Sequence, residues 1–595
     1  DFVSSRMPQA ERIRNEAEIY VIPIVNPDGN VAGHSAFNAE GLDMYLAFGD
    51  EPDAPEPEAH ESKLIWAWIR SEMPALWVNF HAFTGWQLNS EYPYHGWYEV
   101  EDRNLFSNIA QKRLYDAVCD TLRLTTDAAS THERANDTPA AQVDFDTFFT
   151  GKTLRFDYNH TGIAAEEHVS LDQIRLEGDW PGSRNVLVDD TGLGKYIFSV
   201  RDLATKRVIY SRGFCSIYGE WETIGEAKKG IWRTFHESQR FPEPRKKVQL
   251  ALSKRSNDGT FKEIYSGVID PASRFVNRSP LNAPGEVIKI FESGPAKNKV
   301  DFLILADGYS AASRKKFEAD VRRLVEAMFK VEPFASNRED FNVRALHIDS
   351  AQDGITNPRA GKWNDTPLGL SFNAFDSDRY VLSYKNRAIR ESAALAPYDM
   401  LLLLGNTKKY GGGGIFNLWS TCTADSSQAA YVFVHELGHS FAGLADEYYT
   451  SSVSYEDFNP PGVEPWEPNI TALLDPENLK WKDLVAEGTP LPTPWRQEGY
   501  DKASYSYQKK RQELINSKAS TAEMEKLFSK VKKTTAPMLT SEKYADKVGA
   551  FEGAGYRAKG LYRSETDCIM FTRNPQRFCR VCSRGLERVI RMYTE

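Results

Sequence analysis

The pattern His-Glu-Leu-Gly-His at residues 435–439 constrains this chain more than any other feature. An apolar run at residues 431–434 precedes it, as expected for a helix that enters a hydrophobic core. On a helix, positions i and i+4 lie on one face, so His435 and His439 can direct two imidazole rings at one zinc ion. Glu436 is then placed to accept a proton from a water on the metal and pass it to a leaving amine. The pattern therefore predicts a zinc-dependent hydrolytic site.

A hydrolytic zinc site has three protein ligands and one open position, so a third ligand should follow the histidines closely. Gly443 allows the chain to leave the helix with a positive φ, and Asp446 comes shortly after it. Glu447 is an alternative carboxylate one residue further on. We predict one Zn²⁺ per chain, bound by His435, His439 and Asp446, with Glu447 as the alternative third ligand.

The longer segment His-Glu-Leu-Gly-His-Ser-Phe-Ala-Gly-Leu-Ala-Asp-Glu-Tyr, at residues 435–448, resembles the IgA-peptidase family of bacterial zinc metalloendopeptidases. It is also similar to the metzincin pattern, with one extra residue before the glycine and aspartate as third ligand. Further matching segments lie at residues 148–158, 210–221, 234–242, 307–309, 410–417, 567–570 and 578–582. The resemblance implies an accessory β-domain followed by a metzincin-like protease domain. It also implies that Met570 forms the turn beneath the zinc; a plain core methionine is the alternative.

Motif and resemblance together imply a secreted, periplasmic or cell-surface zinc metalloendopeptidase. A zinc-bound water would attack the peptide bond, with Glu436 as general base and then acid. Tyr448 or Tyr449 is a candidate to stabilise the oxyanion, with simple packing as the alternative for each. The expected substrates are proteins or peptides, with host glycoproteins such as immunoglobulin A as candidates. The alternative function is a catalytically idle module that binds protein or glycan, although the intact Glu436 favours the enzyme.

Residues 1–135 resemble the middle of a zinc carboxypeptidase domain, through a strand and Asn-Pro-Asp-Gly turn at residues 19–29 and a second strand at residues 75–81. In that family His81 would be the last metal ligand. Only 25 residues precede Asn26, where the first two ligands should lie, and the pair that should hold a substrate carboxylate reads Tyr45-Leu46. We therefore interpret this α/β segment as a non-catalytic remnant in which His81 is a buried structural histidine.

The expected fold class is multidomain, with α/β and β parts. After residues 1–135, a β-sandwich accessory domain is expected at 140–280 and an α/β catalytic domain at 286–595, with an insertion at 451–560. Short alternating runs predict the sandwich strands, at residues 153–158, 195–200, 207–211, 248–252 and 261–265. In the catalytic domain the predicted order is strand 301–306, helix 311–330, strand 342–348, helix 379–394, strand 399–404, glycine loop 410–414 and zinc helix 428–442.

Two features of the catalytic domain bear on how it would be used. Residues 410–417 are predicted to form an edge strand beside the cleft, where an extended peptide can pair with it. Their four glycines permit close approach of the backbone or mobility, with a plain flexible loop as the alternative. Inside the insertion, a charged stretch at residues 507–533 is typical of a helix.

Net charge and cysteine use exclude some classes of protein. A formal net charge of −10 argues against a nucleic-acid-binding surface. The sequence contains no run of 18 apolar residues, so no membrane span is expected. Six cysteines do not make a disulfide framework. Cys568, Cys579 and Cys582 are close in sequence, and we favour a disulfide from Cys568 to one of the other two. A structural zinc held through Cys579 and Cys582 is the alternative, although it lacks an obvious fourth ligand.

Overall fold

The computed structural model of the protein describes residues 143–595, except 283, 452, 454–457, 518 and 574–576. The described residues belong to one compact unit, Pro139–Glu595. The carboxypeptidase-like segment lies outside the described residues, together with His81 and the Tyr45-Leu46 pair. The interpretation of that segment therefore stays a prediction.

The first part of the described chain forms two four-stranded sheets that enclose one hydrophobic core. Its elements are helix α1 (Phe145–Phe148), strands β1 (Phe149–Gly162), β2 (Glu167–Asp179), β3 (Tyr196–Asp202) and β4 (Val208–Phe214), helices α2 (Ile217–Trp221) and α3 (Gly225–Lys228), and strands β5 (Arg233–Pro244), β6 (Val248–Arg255), β7 (Phe261–Ile269) and β8 (Val276–Asn277). The strand orders are β5-β1-β2-β8 and β4-β3-β6-β7. Phe156 from one sheet and Phe198 from the other stack in the shared core with ring centroids 6.3 Å apart.

The sequence predicted β1, β3, β4, β6 and β7 but not β2 or β5. Strand β2 is polar over its first half, and Leu171 is 46% exposed. Such a strand carries little of the apolar alternation that identifies strands in a sequence. It is nevertheless paired antiparallel with β1 over most of its length, while β5 pairs with the other side of β1.

A six-stranded mixed sheet with the order β13-β14-β12-β10-β11-β9 forms the centre of the second part. Its strands are β9 (Val287–Phe291), β10 (Val300–Asp307), β11 (Phe341–Leu346), β12 (Met400–Gly405), β13 (Gly412–Ile415) and β14 (Trp419–Thr423). The four inner strands are parallel, whereas β9 and β13 pair antiparallel at the two edges. Strand β10 is buried at every residue, as expected for a central strand covered on both faces.

Helices cover both faces of this sheet. Helices α4 (Arg314–Met328) and α6 (Ala429–Ala442) share one core with alternate residues of β10, and helix α5 (Asn386–Ala393) packs on the opposite face. The predicted helix at 379–394 begins only at Asn386. The preceding residues are not helical: Val381 donates a backbone hydrogen bond to the carbonyl of Gly412, at 3.2 Å between nitrogen and oxygen. The mixed α/β and β content agrees with the expected fold class.

The region between the histidine pattern and Met570 contains two helices rather than one. Its elements are strand β15 (Ile470–Thr471), helices α7 (Gln497–Asn516) and α8 (Thr521–Thr540), and strands β16 (Phe551–Ala554) and β17 (Arg557–Arg563), before the last helix α9 (Arg580–Thr594). The stretch predicted to be helical at 507–533 is helical on both sides of a break after Asn516, where Ser520 starts a new helix through a capping box with Glu523. Within the described residues, none of these helices has the length and apolar character that crossing a membrane requires.

Candidate functional site

Helix α6 carries the histidine pattern and is fixed by its apolar face. Val432, Phe433 and Leu437 are buried in the core that the helix shares with the sheet. The helix ends at Gly443, which has φ 61° and ψ 28° and donates its N–H to the carbonyl of His439 at 3.0 Å. This left-handed conformation, which favours glycine, turns the chain back toward the histidines.

Two imidazole nitrogens and one carboxylate oxygen converge beside this helix. The Nε2 atoms of His435 and His439 are 3.1 Å apart. The Oδ1 atom of Asp446 lies 3.1 Å from the first and 3.2 Å from the second. Two ligand atoms that each lie about 2.0–2.1 Å from a tetrahedral zinc ion are about 3.3 Å apart. The three atoms therefore have the spacing that zinc requires, and Glu447 is not one of them.

The other ring nitrogen of each histidine is held by the backbone. Nδ1 of His435 donates to the carbonyl of Ile569 at 3.1 Å, and Nδ1 of His439 donates to the carbonyl of Leu444 at 2.5 Å. A carbonyl can only accept, so the hydrogen of each neutral imidazole is on Nδ1. In the neutral form that a metal requires, both Nε2 atoms direct a lone pair at the point of convergence, as metal-ligating histidines do.

The carboxylate of Asp446 is oriented in the same way. Its Oδ2 atom accepts a hydrogen bond of 2.6 Å from the hydroxyl of Tyr556. Its Oδ1 atom is buried and has no hydrogen-bond partner among the described residues. The geometry thus keeps one oxygen for Tyr556 and directs the other at the two histidines.

Burial and charge shift the pKa values of the acids at this site. Burial raises the pKa of Glu436, although His435 and His439 oppose the shift. Burial acts on Asp446 too, but the attraction of His439 and His435 holds its pKa well below the ordinary value. Burial would lower the pKa of His439, whereas the Asp446 carboxylate raises it to about 9. An ionised carboxylate facing two imidazoles is a charge arrangement that a divalent cation would satisfy.

Met570 packs against the middle of helix α6. A Cβ atom added to Gly438, between the two histidines, would lie 2.8 Å from the Met570 sulfur. The Met570 side chain is fully buried. Its carbonyl accepts the backbone N–H of Glu447 at 2.8 Å, which ties the segment after the helix to the methionine. Met570 is thus a core residue in contact with the helix that carries the histidines, and its role beneath a metal stays a prediction.

The glycine segment is an ordered strand that lies directly on helix α6. A Cβ atom at Gly414 would be 2.5 Å from the Glu436 carbonyl oxygen and 2.9 Å from the His439 Cβ. One at Gly412 would be 2.6 Å from Val432 and 3.1 Å from a Glu436 carboxylate oxygen. Only glycine fits at these distances. Close approach of the backbone to its neighbours, rather than mobility, therefore accounts for the run of four glycines.

A cleft beside the histidines is lined by both parts of the described chain. Its lining includes Lys195, Ser216, Gly219 and Glu220 from the sandwich, Arg379, Tyr410 and Gly412–Ile415 from the sheet side, and Glu436, His439, Asp446, Tyr448 and Tyr556 around the histidines. Backbone hydrogen bonding joins the two parts here, since the Cys215 N–H donates to the Phe416 carbonyl at 2.9 Å. The sandwich therefore contributes a wall of the cleft, which the sequence did not reveal.

The two candidate tyrosines have different surroundings. The hydroxyl of Tyr448 lies at the cleft and accepts a hydrogen bond of 2.9 Å from Arg379. The hydroxyl of Tyr449 donates to Asp501 at 2.6 Å, and its ring stacks on Phe571 away from the cleft. Packing explains Tyr449. Arg379 and Tyr556 have no sequence signal of their own, because nothing local marks them as neighbours of the histidines.

Glu447 lies in a different cluster from Asp446. Its carboxylate is fully buried with the thiols of Cys568, Cys579 and Cys582. All three cysteines are free, and the sulfur atoms of Cys568 and Cys582 are 3.8 Å apart. A disulfide bond requires about 2.05 Å. The favoured disulfide from Cys568 is therefore wrong.

Comparison with known proteins agrees with the resemblance of the sequence. The family model described as IgA Peptidase M64 matches residues 288–590, and the model described as Peptidase M64 N-terminus matches residues 144–266. The crystal structure of metalloproteinase-II from Bacteroides fragilis is similar over 41% of this chain and 84% of its own, with 12% identity and a TM-score of 0.17. A search of curated proteins finds no match. Because the first model covers half of the chain, this protein belongs to the IgA peptidase M64 family and is a metallopeptidase.

Proposed function

We propose that this chain is a zinc endopeptidase that hydrolyses internal peptide bonds of protein substrates. His435, His439 and Asp446 would hold the zinc ion, and Glu436 would act as general base and acid. We place the enzyme outside the cell, in the periplasm or at the cell surface, as the family resemblance implies. Immunoglobulins and other host glycoproteins are the substrates that the same resemblance suggests.

The convergence of three ligand atoms carries the proposal. Nε2 of His435, Nε2 of His439 and Oδ1 of Asp446 lie 3.1–3.2 Å from one another. Each is oriented by a hydrogen bond at its other polar atom, which leaves a lone pair directed at a common point. Three protein ligands beside a cleft leave a fourth position for water or substrate, which is the arrangement of hydrolytic zinc sites.

Glu436 is the group that we assign to move the proton. A zinc ion here would lower the pKa of a water toward about 7 and polarise the scissile carbonyl. The carboxylate of Glu436 lines the same cleft, between helix α6 and the glycine strand. Burial raises its pKa, so the carboxyl group is better able to accept the proton and then release it to the leaving nitrogen.

Strand β13 is the surface that we assign to the substrate backbone. Gly412 exchanges hydrogen bonds with Arg379 and Val381 on the outer side of the strand. Backbone groups alternate along a strand, so those of Gly414 point to the same outer side, beside the histidines. An extended peptide can pair with such an edge through its main chain. Tyr448, held by Arg379, then lies on the cleft wall as the donor that we assign to the oxyanion.

Replacing Glu436 tests this assignment. Glu436→Gln removes the base but none of the proposed ligands, so turnover of a protein substrate should fall by at least about 100-fold while bound zinc and the folded state are kept. Zinc content, circular dichroism and cleavage rate should be measured on the same preparation. Glu467→Gln is a matched control, because Glu467 is also buried and also lines the cleft.

Two results would contradict the proposal. A Glu436→Gln protein that cleaves at nearly the wild-type rate would remove Glu436 from the mechanism. A zinc-loaded wild-type protein that cleaves nothing in a proteome-wide screen would favour the alternative, a binding module built on a protease scaffold.

A further inference from the structure

Four buried side chains from distant parts of the sequence meet on the core side of the segment that follows helix α6. Glu447 comes from that segment, Cys568 precedes Met570, and Cys579 and Cys582 lie at the start of helix α9. Their ligand atoms all lie within 4.8 Å of one another, and none of the four residues is exposed to solvent. We propose that they form a second metal site, which binds a structural zinc ion.

Three interatomic distances in this thiolate cluster (Glu447, Cys568, Cys579 and Cys582) are within about 0.5 Å of those of a tetrahedral zinc site. The sulfur atoms of Cys568 and Cys582 are 3.8 Å apart. The Oε1 atom of Glu447 lies 3.3 Å from the Cys582 sulfur and 4.0 Å from the Cys579 sulfur. With zinc–sulfur bonds of about 2.3 Å and a zinc–oxygen bond of about 2.0 Å, tetrahedral geometry gives about 3.8 Å between sulfurs and about 3.5 Å between sulfur and oxygen.

The hydrogen bonds around the sulfur atoms favour thiolates. The backbone N–H of Cys579 donates to the sulfur of Cys568 at 3.2 Å, and that of Cys582 donates to the sulfur of Cys579 at 3.4 Å. The hydroxyl of Ser564 lies 3.2 Å from the Cys579 sulfur. Cys579 is also the N-cap of helix α9, where the helix dipole favours a negative charge.

The carboxylate of Glu447 completes the ligand set. Its Oε1 atom accepts a hydrogen bond of 3.0 Å from Asn469, whereas its Oε2 atom is buried without a hydrogen-bond partner among the described residues. Three thiolates and a carboxylate buried together are unfavourable unless a cation neutralises their charges. Thiolate ligands select zinc among the common divalent cations, and four protein ligands without an open position make a structural site.

Unlike the proposed catalytic site, this site would not contact the substrate. Its role would be to hold the neighbouring segments in place. A metal held by the thiolate cluster would bind Glu447 to helix α9 and to the segment of Met570. Since Asp446 is the preceding residue, the same metal would fix the backbone from which Asp446 reaches the histidines. The inference does not depend on the proposed function, because none of its four ligands belongs to the histidine site.

Metal content and cobalt spectroscopy of the full chain test the inference. Wild-type protein should contain two zinc ions per chain. After exchange with Co²⁺ it should show thiolate-to-cobalt charge-transfer absorption, which ligands from histidine and aspartate do not give. Cys582→Ser should lose one of the two zinc ions together with this absorption. Asp446→Asn should also lose one zinc ion but should keep the absorption, so the two sites are distinguished.

Cys215→Ser is the control, since Cys215 is a free thiol outside the cluster; it should keep two zinc ions and the absorption. If Cys582→Ser does not fold, the wild-type measurements decide alone. Wild-type protein with one zinc ion and no thiolate absorption would overturn the inference. So would a disulfide between Cys568 and either other cysteine, found by mass spectrometry of the alkylated, unreduced chain.

Discussion

Asp446 and Glu447 are adjacent acids that point into two different environments. Asp446 faces His435 and His439 beside a cleft, where the His439 side chain is 15% exposed. Glu447 faces three cysteines in a cluster closed to solvent. The histidine site has three converging ligand atoms and opens to the cleft. The thiolate cluster has four ligand atoms and no opening to solvent. If both proposals hold, two carboxylates with the same sequence signal serve different kinds of metal chemistry, one hydrolytic and one structural.

Exchanging each acid for its amide is the strongest test of this comparison. Asp446→Asn should lower turnover by at least about 100-fold, because it weakens the metal on which hydrolysis depends. Glu447→Gln should lower turnover per folded molecule by no more than about 10–100-fold, the usual range for a residue that positions a ligand of the hydrolytic metal without binding that metal. Its main effect should be a lower midpoint of thermal unfolding. Turnover and unfolding should be measured on both variants; a reversed result would transfer the third-ligand role to Glu447.

The hydroxyl of Tyr556 should influence only the histidine site. Tyr556→Phe removes its hydrogen bond to Asp446, so zinc affinity at that site should fall by about 10–100-fold, while the thiolate cluster keeps its metal. Competition with a chelator measures the affinity. Tyr505→Phe is the control, since Tyr505 is 48% exposed on helix α7. Unchanged zinc affinity in Tyr556→Phe would mean that Asp446 is oriented by other contacts.

Adding a methyl group to the glycine strand should have a smaller effect on the histidine site than the substitutions above. Gly414→Ala places a Cβ atom 2.5 Å from the Glu436 carbonyl, and relieving this overlap should cost about 1–3 kcal/mol in the free energy of unfolding. Gly178→Ala is the matched control, because it lies in strand β2 with no atom within 4 Å of the added Cβ. Denaturant unfolding compares them. Equal stability would restore the flexible-loop interpretation.

The smallest effect is expected in the carboxypeptidase-like segment. His81→Ala should leave both zinc content and endopeptidase turnover unchanged, because we predict residues 1–135 to be non-catalytic, with Tyr45-Leu46 in place of the pair that holds a substrate carboxylate. Metal analysis and a cleavage assay check this. Release of C-terminal amino acids by the wild-type protein, lost in His81→Ala, would show instead that this segment binds a metal of its own.

The sequence identified the parts of the site that are close together along the chain. His435 and His439 are one helical turn apart, and Asp446 follows after a single glycine turn, so local geometry suffices. Tyr556 bonds to Asp446 across 110 residues, and Cys582 contacts Glu447 across 135. No spacing rule reaches that far. The sequence alone therefore presents Glu447 as an alternative ligand of the histidine site and not as the fourth ligand of the cysteines.

The same distinction between local and long-range contacts applies to the fold. Strands β10 and β12 were predicted because buried parallel strands are continuous apolar runs. Strand β2 was not, because it is held by pairing with β1 and not by its own apolar pattern. The break between α7 and α8 depends on one capping box at Ser520, for which Ser520 and Glu523 give a local signal in the sequence.

The glycine strand has a consequence for specificity. Gly412–Gly414 carry no side chains, so a peptide that pairs with this strand at Gly414, as we propose, would be held in place without being distinguished from other peptides. Discrimination among substrate side chains must then come from the remaining walls of the cleft, which include Lys195 and Glu220 of the sandwich. Substitutions on those walls can redirect the enzyme to a new target without altering the strand or the histidines. Selectivity and chemistry can therefore evolve separately in this protein.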